Sequence, residues 1–446
     1  MRNFYLHILR FCSNFLIFNR KTDNMILNPD SLYMSKSEKI LFSTAIFIHF
    51  VFSGVLAFSM YFGLPNAYIS GVSRIIVMLI SFYLFFDSLV KRELGDISFA
   101  WPFFLYAAYC VFLLMITNVS GATYGALVYG RFYFAYIFLG YSIAPFLLFL
   151  MPSKRFFFLA NNPWLVYLPS LISMALISIF YSEFYLGIEG DGELTNQLNR
   201  AHVSGTTAFV FVMSLYYIVL AKGTWKIIMG ALSMILVAVA LSRSSSQSML
   251  VSAAIICIVL ICFSFREKRS LIKVCVGGAI ASVSLIPLIF LSEGFNRLVG
   301  LLGSDIQYTG YSRIDLVWEA WDVFMSSPIL GGNLYLPDGS YSHFFPSDVL
   351  MVCGIFGFPF LIYIFYMLAQ SFFVSLTKLP LAYAWMVMLI SFVFVETLLH
   401  GNYGSAIMFH MGIALTLYKM YRDYPNGIPD LSDDAQKAHS QGPMRY

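Results

Sequence analysis

Residues 40–60 read ILFSTAIFIHFVFSGVLAFSM, twenty-one consecutive positions without an Asp, Glu, Lys or Arg. As a helix rising 1.5 Å per residue, such a run reaches about 31 Å, the thickness of a bilayer's hydrocarbon core. Runs of the same kind recur along the chain. Of its 446 residues 59% are hydrophobic and 11% charged, less than half the ~25% charged content of a soluble domain. A soluble protein of that composition would lack the polar surface to cover its core. Secreted, cytosolic and nucleic-acid-binding classes are therefore excluded, and a net charge of +4 spread over such a chain names no acidic partner. The runs are long and continuous, not ten-residue alternations, which excludes a β-barrel. The expected fold class is an all-α polytopic membrane protein with about 12 transmembrane helices.

The expected spans are 40–60, 75–90, 99–117, 126–151, 163–182, 205–221, 226–241, 249–264, 271–291, 347–375, 380–398 and 403–420. They make a transmembrane domain over 39–420, with long outer loops at 183–204 and 292–346, the larger lying between spans nine and ten. Residues 1–38 read as a cytoplasmic or interfacial segment: the apolar stretch Phe4 to Phe18 is interrupted by Arg10 and followed by Arg20-Lys21. It has no small-residue cleavage site of a signal peptide, and Met25 and Met34 are alternative starts. Residues 421–446 read as a cytoplasmic tail.

Basic residues favour the cytoplasmic side. With the N-terminus inside, the inner loops hold Lys91-Arg92, Lys154-Arg155, Lys222 with Lys226, Arg266 to Arg269, and Lys378, and the chain end adds Lys419 and Arg422. Every lysine then falls inside. The outside carries Arg74, Arg131, Arg200, Arg243, Arg297 and Arg313 and no lysine. Arg differs from Lys in its permanent charge and in a planar fork that grips phosphate bidentately. Singly, these arginines could pair with Glu183, Glu189, Asp191, Glu193 or Asp305; as a set they point to an anionic ligand at the outer face. The six cysteines (12, 110, 257, 262, 275 and 353) avoid the outer loops, so neither a disulfide framework nor a cysteine metal site is expected. A bacterial inner membrane with a periplasmic outer face fits.

The first long loop, FYLGIEGDGELTNQLNR over 184–200, is acidic and Gly-rich and ends on Asn199-Arg200. In the second, Ile314, Val317, Trp318, Trp321 and Phe324 recur at helical spacing. That predicts an amphipathic helix over 313–324 at the outer interface, with Asp315, Glu319 and Asp322 turned to water. The loop then runs through Pro328, Gly331-Gly332 and Pro337-Asp-Gly to Tyr341-Ser342-His343. Between spans seven and eight stands Leu241-Ser-Arg243-Ser244-Ser-Ser-Gln-Ser248. Hydroxyls and an arginine where a helix begins make an anion site, beside the ordinary capping that Ser provides. Arg200, Arg243, Arg313 and His343 thus come from four stretches and share one membrane depth. Glu396 and His400, four apart near the outer end of span eleven, are an intramembrane pair open to a functional or a structural reading.

These stretches resemble the O-antigen polymerase and O-antigen ligase superfamily, bacterial membrane glycosyltransferases. The ligases carry His, then Asn, Ser or Gln, nine residues, Gly, two residues, and Gly, Thr or Tyr. Here His343 and Phe344 are followed by nine residues and Gly354-Ile-Phe-Gly357; Phe344 departs from the pattern. Tyr311-Ser-Arg313, Trp318 and Pro328-Ile-Leu-Gly331-Gly resemble the family's segment before that His, and Leu241-Ser-Arg243-Ser its Ser/Arg turn. The likeness covers about 195–360. It implies an inverting, metal-independent GT-C-type enzyme with no cofactor, using an undecaprenyl-pyrophosphate-linked oligosaccharide. It further implies that Arg243 and Arg313, helped by Arg200, hold the pyrophosphate, that His343 is the general base, and that a chain-length regulator is a partner. The first outer loop, 61–74, holds no acidic residue, where metal-using GT-C enzymes place theirs. Tyr341-Ser-His343 with Asp348 five positions on resembles the polymerases' pattern and favours polymerase over ligase. A flippase would show two similar six-span halves with charges near the midplane; no repeat links 40–221 to 226–420.

Overall fold

The helix built on the 40–60 run is longer than the run: α1 spans Lys36–Tyr61 in the computed structural model. The structure describes residues 34–64, 66–94, 143–180, 200–219, 224–243 and 405–424, with single positions inside 100–108 and 318–386. After α1 come α2 (Asn66–Val90), α3 (Ala144–Phe149), α4 (Ser153–Asn161), α5 (Trp164–Phe180), α6 (Arg200–Val219), α7 (Thr224–Arg243) and α8 (Ser405–Asp423). All belong to the unit Met34–Tyr446, and Met1–Tyr33 is a separate unit. No strand occurs among the described residues. Spans eight and nine, the Phe4–Phe18 stretch, most of spans three, four, ten and eleven, and the residues after 424 lie outside them.

α1 stops because Gly63 takes the left-handed conformation (φ 62°) and Leu64 N–H turns back to the Ser59 carbonyl at 2.8 Å. That is a Schellman closure, which spends the otherwise orphaned carbonyls of the last turn. The chain re-enters helix at Asn66, nine residues earlier than the sequence predicts. The predicted outer loop 61–74 therefore shrinks to a turn, and Arg74 stands inside α2, not outside. Its side chain is 6% exposed, its guanidinium 3.9 Å from the centre of the Phe52 ring. A cation covered by an aromatic face and packed between helices does not interrupt a span, so the charge misplaced the boundary.

Segments Lys36–Ser59 and Gly71–Val90 are each long and apolar enough to cross a membrane, and α4 with α5 qualifies as one bent span, the bend being 57°. Along α2 the exposed residues Val72, Ile75, Ile76, Leu79, Tyr83 and Phe86 form one helical stripe. A soluble protein does not present such a face to water. Helices of this length and surface belong to an all-α membrane protein; the remaining predicted spans rest on stretches outside the described residues.

Close crossings are built from small residues, as helices in lipid require. Gly54 N–H donates to Ser173 Oγ at 2.7 Å, joining α1 to α5. Gly230 of α7 lies against Ser214 and Tyr217 of α6, and Gly412 of α8 against Phe146 and Phe149 of α3. Between α3 and α4 the backbone leaves the helical path at residues 150–152. Thr416 of α8 closes that break: its hydroxyl donates to the Phe149 carbonyl at 2.7 Å and accepts from Met151 N–H at 3.0 Å. Irregular backbone is tolerated at such depth when the protein itself satisfies it. Trp385 Nε1 likewise donates to the Ala160 carbonyl at 3.2 Å, near the α4–α5 bend.

Candidate functional site

Helix directions decide which residues share an end of the bundle. Phe42 meets Phe158, Gly54 meets Ser173 and Phe58 meets Phe180, so α1 runs parallel to α4 and α5. Trp164 meets Tyr217, which makes α6 antiparallel to α5. Four residues separate α6 from α7, and Gly230 packs on Ser214, so these two form an antiparallel hairpin. Arg200 opens that hairpin and Arg243 ends it. Their backbone positions therefore lie at one end, the end shared with the close of α1 and α5.

The opposite end carries a buried charge cluster. Glu38 in the first turn of α1 accepts from Arg155 Nε at 2.7 Å and pairs with Lys154 at 2.8 Å. Lys154 also reaches Glu93 at 2.7 Å. Arg155 donates to the Leu84 carbonyl at 3.0 Å, and Lys419 to the Glu93 carbonyl at 3.1 Å. Arg155 is 1% exposed. Lys154 and Arg155, read as part of an inner loop, are thus inside a network joining α1, α2, α4 and α8. Single charges look alike in a sequence whether solvated or paired; the available signal was Glu38 and Glu93, acids at span ends on the lysine side. Beside the cluster, burial pushes the Tyr424 hydroxyl up to about 12, with the neighbouring Asp423 carboxylate adding to it. A lateral groove lined by Ser43, Phe47, Trp164 and Leu168 also belongs to this half, away from the arginines.

Two predicted boundaries move at the arginine end. α6 begins at Arg200, so the loop expected over 183–204 stops before it. α7 continues through Arg243 rather than ending at 241, which puts Arg243 at a helix C-terminus. An anion site at a helix N-terminus would belong to whatever follows Ser244. Ser244, Arg313, Tyr341, His343, Glu396 and His400 lie outside the described residues.

The helix expected in the second outer loop is described in part. Trp318, Trp321, Asp322, Phe324 and Met325 are helical, in agreement with the expected amphipathic helix and one residue beyond its end. Phe324 is buried while Trp318 and Trp321 are exposed. Phe358 N–H donates to the Pro328 carbonyl at 2.8 Å. That bond brings Pro328 and Phe358 together; the residues from 330 to 357 between them lie outside the described ones. Among the described residues no three His, Cys, Asp or Glu are grouped to hold a metal.

Fold and packing define an all-α membrane protein whose described buried ion pairs gather at one end. Compared with protein-family models, curated proteins and solved structures, the chain matches none.

Proposed function

We propose that the chain is a bacterial inner-membrane glycosyltransferase, an O-antigen polymerase that joins lipid-linked repeat units at the periplasmic face. The observation that carries the superfamily is the spacing of His343 from Gly354 and Gly357, and Tyr341-Ser-His343 with Asp348 five positions on favours the polymerase within it. The end-to-end match of Arg200 with Arg243 supports a shared cationic face. In the proposed reaction the acceptor sugar hydroxyl attacks the anomeric carbon of the undecaprenyl-pyrophosphate-linked glycan. The carbon–oxygen bond to pyrophosphate breaks with inversion, and its electrons stay on the leaving group. Arg243 and Arg313, with Arg200, stabilise that developing charge. His343 takes the hydroxyl proton, a step worth roughly 10²–10⁴-fold. Holding both lipid-anchored reactants at one depth supplies much of the remainder.

The test is complementation of a deletion strain, read as a surface-glycan ladder. Deletion should leave caps of one repeat, and His343→Ala or Arg313→Ala at wild-type protein level should fail to restore the ladder. Normal ladders from both variants remove the assignment. Accumulation of long glycan that never reaches lipid A core replaces polymerase with ligase, the other member of the superfamily.

A further inference from the structure

The groove between α1 and α5 follows from the bend that precedes α5. α5 leaves α4 at 57°, and a straight α1 cannot follow both helices. α1 closes on α5 at Gly54 and Ser173, where the side chains are smallest. Toward the lysine end the two helices part around the larger Phe47, Trp164 and Leu168, leaving about 310 Å³ open to the side. Phe47 and Leu168 are 40% and 45% exposed, and Ser43 and Thr44 line the same space. Segment Lys36–Ser59 is long and apolar enough to cross a membrane, as is α4 with α5 taken as one bent span. A gap between their flanks opens toward lipid tails.

Two cations stand over the mouth of this groove. At 100° per residue Lys36, Ile40, Ser43 and Phe47 fall within about 60° of one another on α1, with Lys36 about 16 Å from Phe47 along the axis. Lys39 lies 5.8 Å from the centre of the Phe158 ring, which sets its ammonium against α4. Both lysines are exposed. Among the described residues neither forms an ion pair: Glu38, between them in sequence, is turned inward and spent on Lys154 and Arg155. At the end of a span, lysine lays its stem along apolar surface and carries its charge to headgroup depth. Two such charges above an apolar lateral groove complement a molecule with an acidic head and an alkyl tail.

We infer that this groove binds one anionic phospholipid, its phosphate held by Lys36 and Lys39 and one acyl chain laid between Phe47 and Leu168. Basic residues at the headgroup end of a gap between spans select acidic lipids by charge. The Ser43 and Thr44 hydroxyls, about one turn below Lys39, are donors at the depth of the lipid's ester carbonyls. Seated there, the lipid wedges α1 against the α4–α5 bend. The site belongs to the half of the molecule away from Arg200 and Arg243, so it stands or falls independently of the enzymatic reading.

Trp164 lines the groove and reports on its occupant in the full-length protein, held in nanodiscs of phosphatidylcholine. The chain has six tryptophans, so its signal is the difference between each background and the same background carrying Trp164→Phe. A small fraction of the lipid is replaced by phosphatidylglycerol or, in a second series, by phosphatidylcholine, brominated on the acyl chains in both. In wild type the relative association constant should be at least about fivefold higher for the brominated phosphatidylglycerol, the factor that one interfacial lysine supplies. Lys36→Gln/Lys39→Gln alters exposed side chains only. It should bring that ratio to about one while brominated phosphatidylcholine still quenches, the sign of an intact groove. Equal quenching by the two lipids in wild type means an unselective lipid contact and overturns the inference. Quenching by neither puts protein against Trp164, a second copy included, and overturns it too. A preference that survives both substitutions takes the phosphate away from the lysines, with the same consequence.

Discussion

Arg92 adopts φ 56°, a left-handed conformation that costs a residue with a Cβ roughly 1–2 kcal/mol. It is tolerated because it closes α2: Glu93 N–H reaches the Ser88 carbonyl at 2.9 Å and Arg92 N–H the Leu89 carbonyl at 3.0 Å. The same turn delivers Glu93 to Lys154 through its carboxylate and to Lys419 through its carbonyl. Strain at one residue thus positions a partner for two buried cations. Arg92→Gly should relieve it, raising stability by about 0.5–1 kcal/mol after the entropy that glycine adds to the unfolded chain. Chemical denaturation of the detergent-solubilised protein measures this, and unchanged or lower stability would show that the arginine side chain contributes more than its backbone costs. Gly63, followed by Leu64-Pro65, is legible as a helix stop in the residues themselves. Arg92 is not, since nothing in Lys91-Arg92-Glu93 marks which residue turns left-handed. Arg74 misleads for a related reason: a charge reads as a span boundary unless an aromatic partner such as Phe52 is known to cover it.

Elements in this molecule are joined where side chains are smallest. At Gly54 an added Cβ would stand 2.7 Å from the Ser173 carbonyl oxygen, a backbone atom that cannot rotate away. Gly54→Ala should therefore push α1 from α5, stretch the Gly54–Ser173 hydrogen bond and cost about 1–3 kcal/mol, the range for overpacking a tight site. A thermal unfolding series in detergent reads it as a lowered midpoint. A midpoint equal to wild type would mean that the crossing opens without loss. Helix existence is legible from apolar runs because lipid leaves a backbone few alternatives, and α5, α6 and α7 fall within a few residues of expectation. What periodicity does not supply is pairing. Glu38 and Arg155 stand 117 residues apart, and Thr416 closes a break 265 residues away; no local pattern announces either contact. The bend between α4 and α5 is likewise hidden in what reads as a loop, since Lys154-Arg155 has the look of solvent-facing punctuation.

For the molecule as a whole, sidedness is the property on which the functional reading depends. In the sequence, lysine bias alone indicates it. The packing adds an independent constraint: Glu38, Glu93, Lys154, Arg155 and Lys419 meet at one end, while Arg200 and Arg243 belong to the other. A lysine-rich network at one end and arginines at the other is what the positive-inside bias and an outer anion site would jointly produce. Leu64, in the turn after α1, is 41% exposed, and Lys91, after α2, has half its side chain exposed. The two mark opposite ends of the α1–α2 hairpin. With the six native cysteines replaced, Leu64→Cys should react with a membrane-impermeant maleimide in intact spheroplasts, and Lys91→Cys only after permeabilisation. Reaction of both from one side would mean that α1 and α2 do not cross. The reverse order would turn the lysine network outward and bring Arg200 and Arg243 to the cytoplasm, where neither a periplasmic pyrophosphate site nor the glycan transfer built on it could operate.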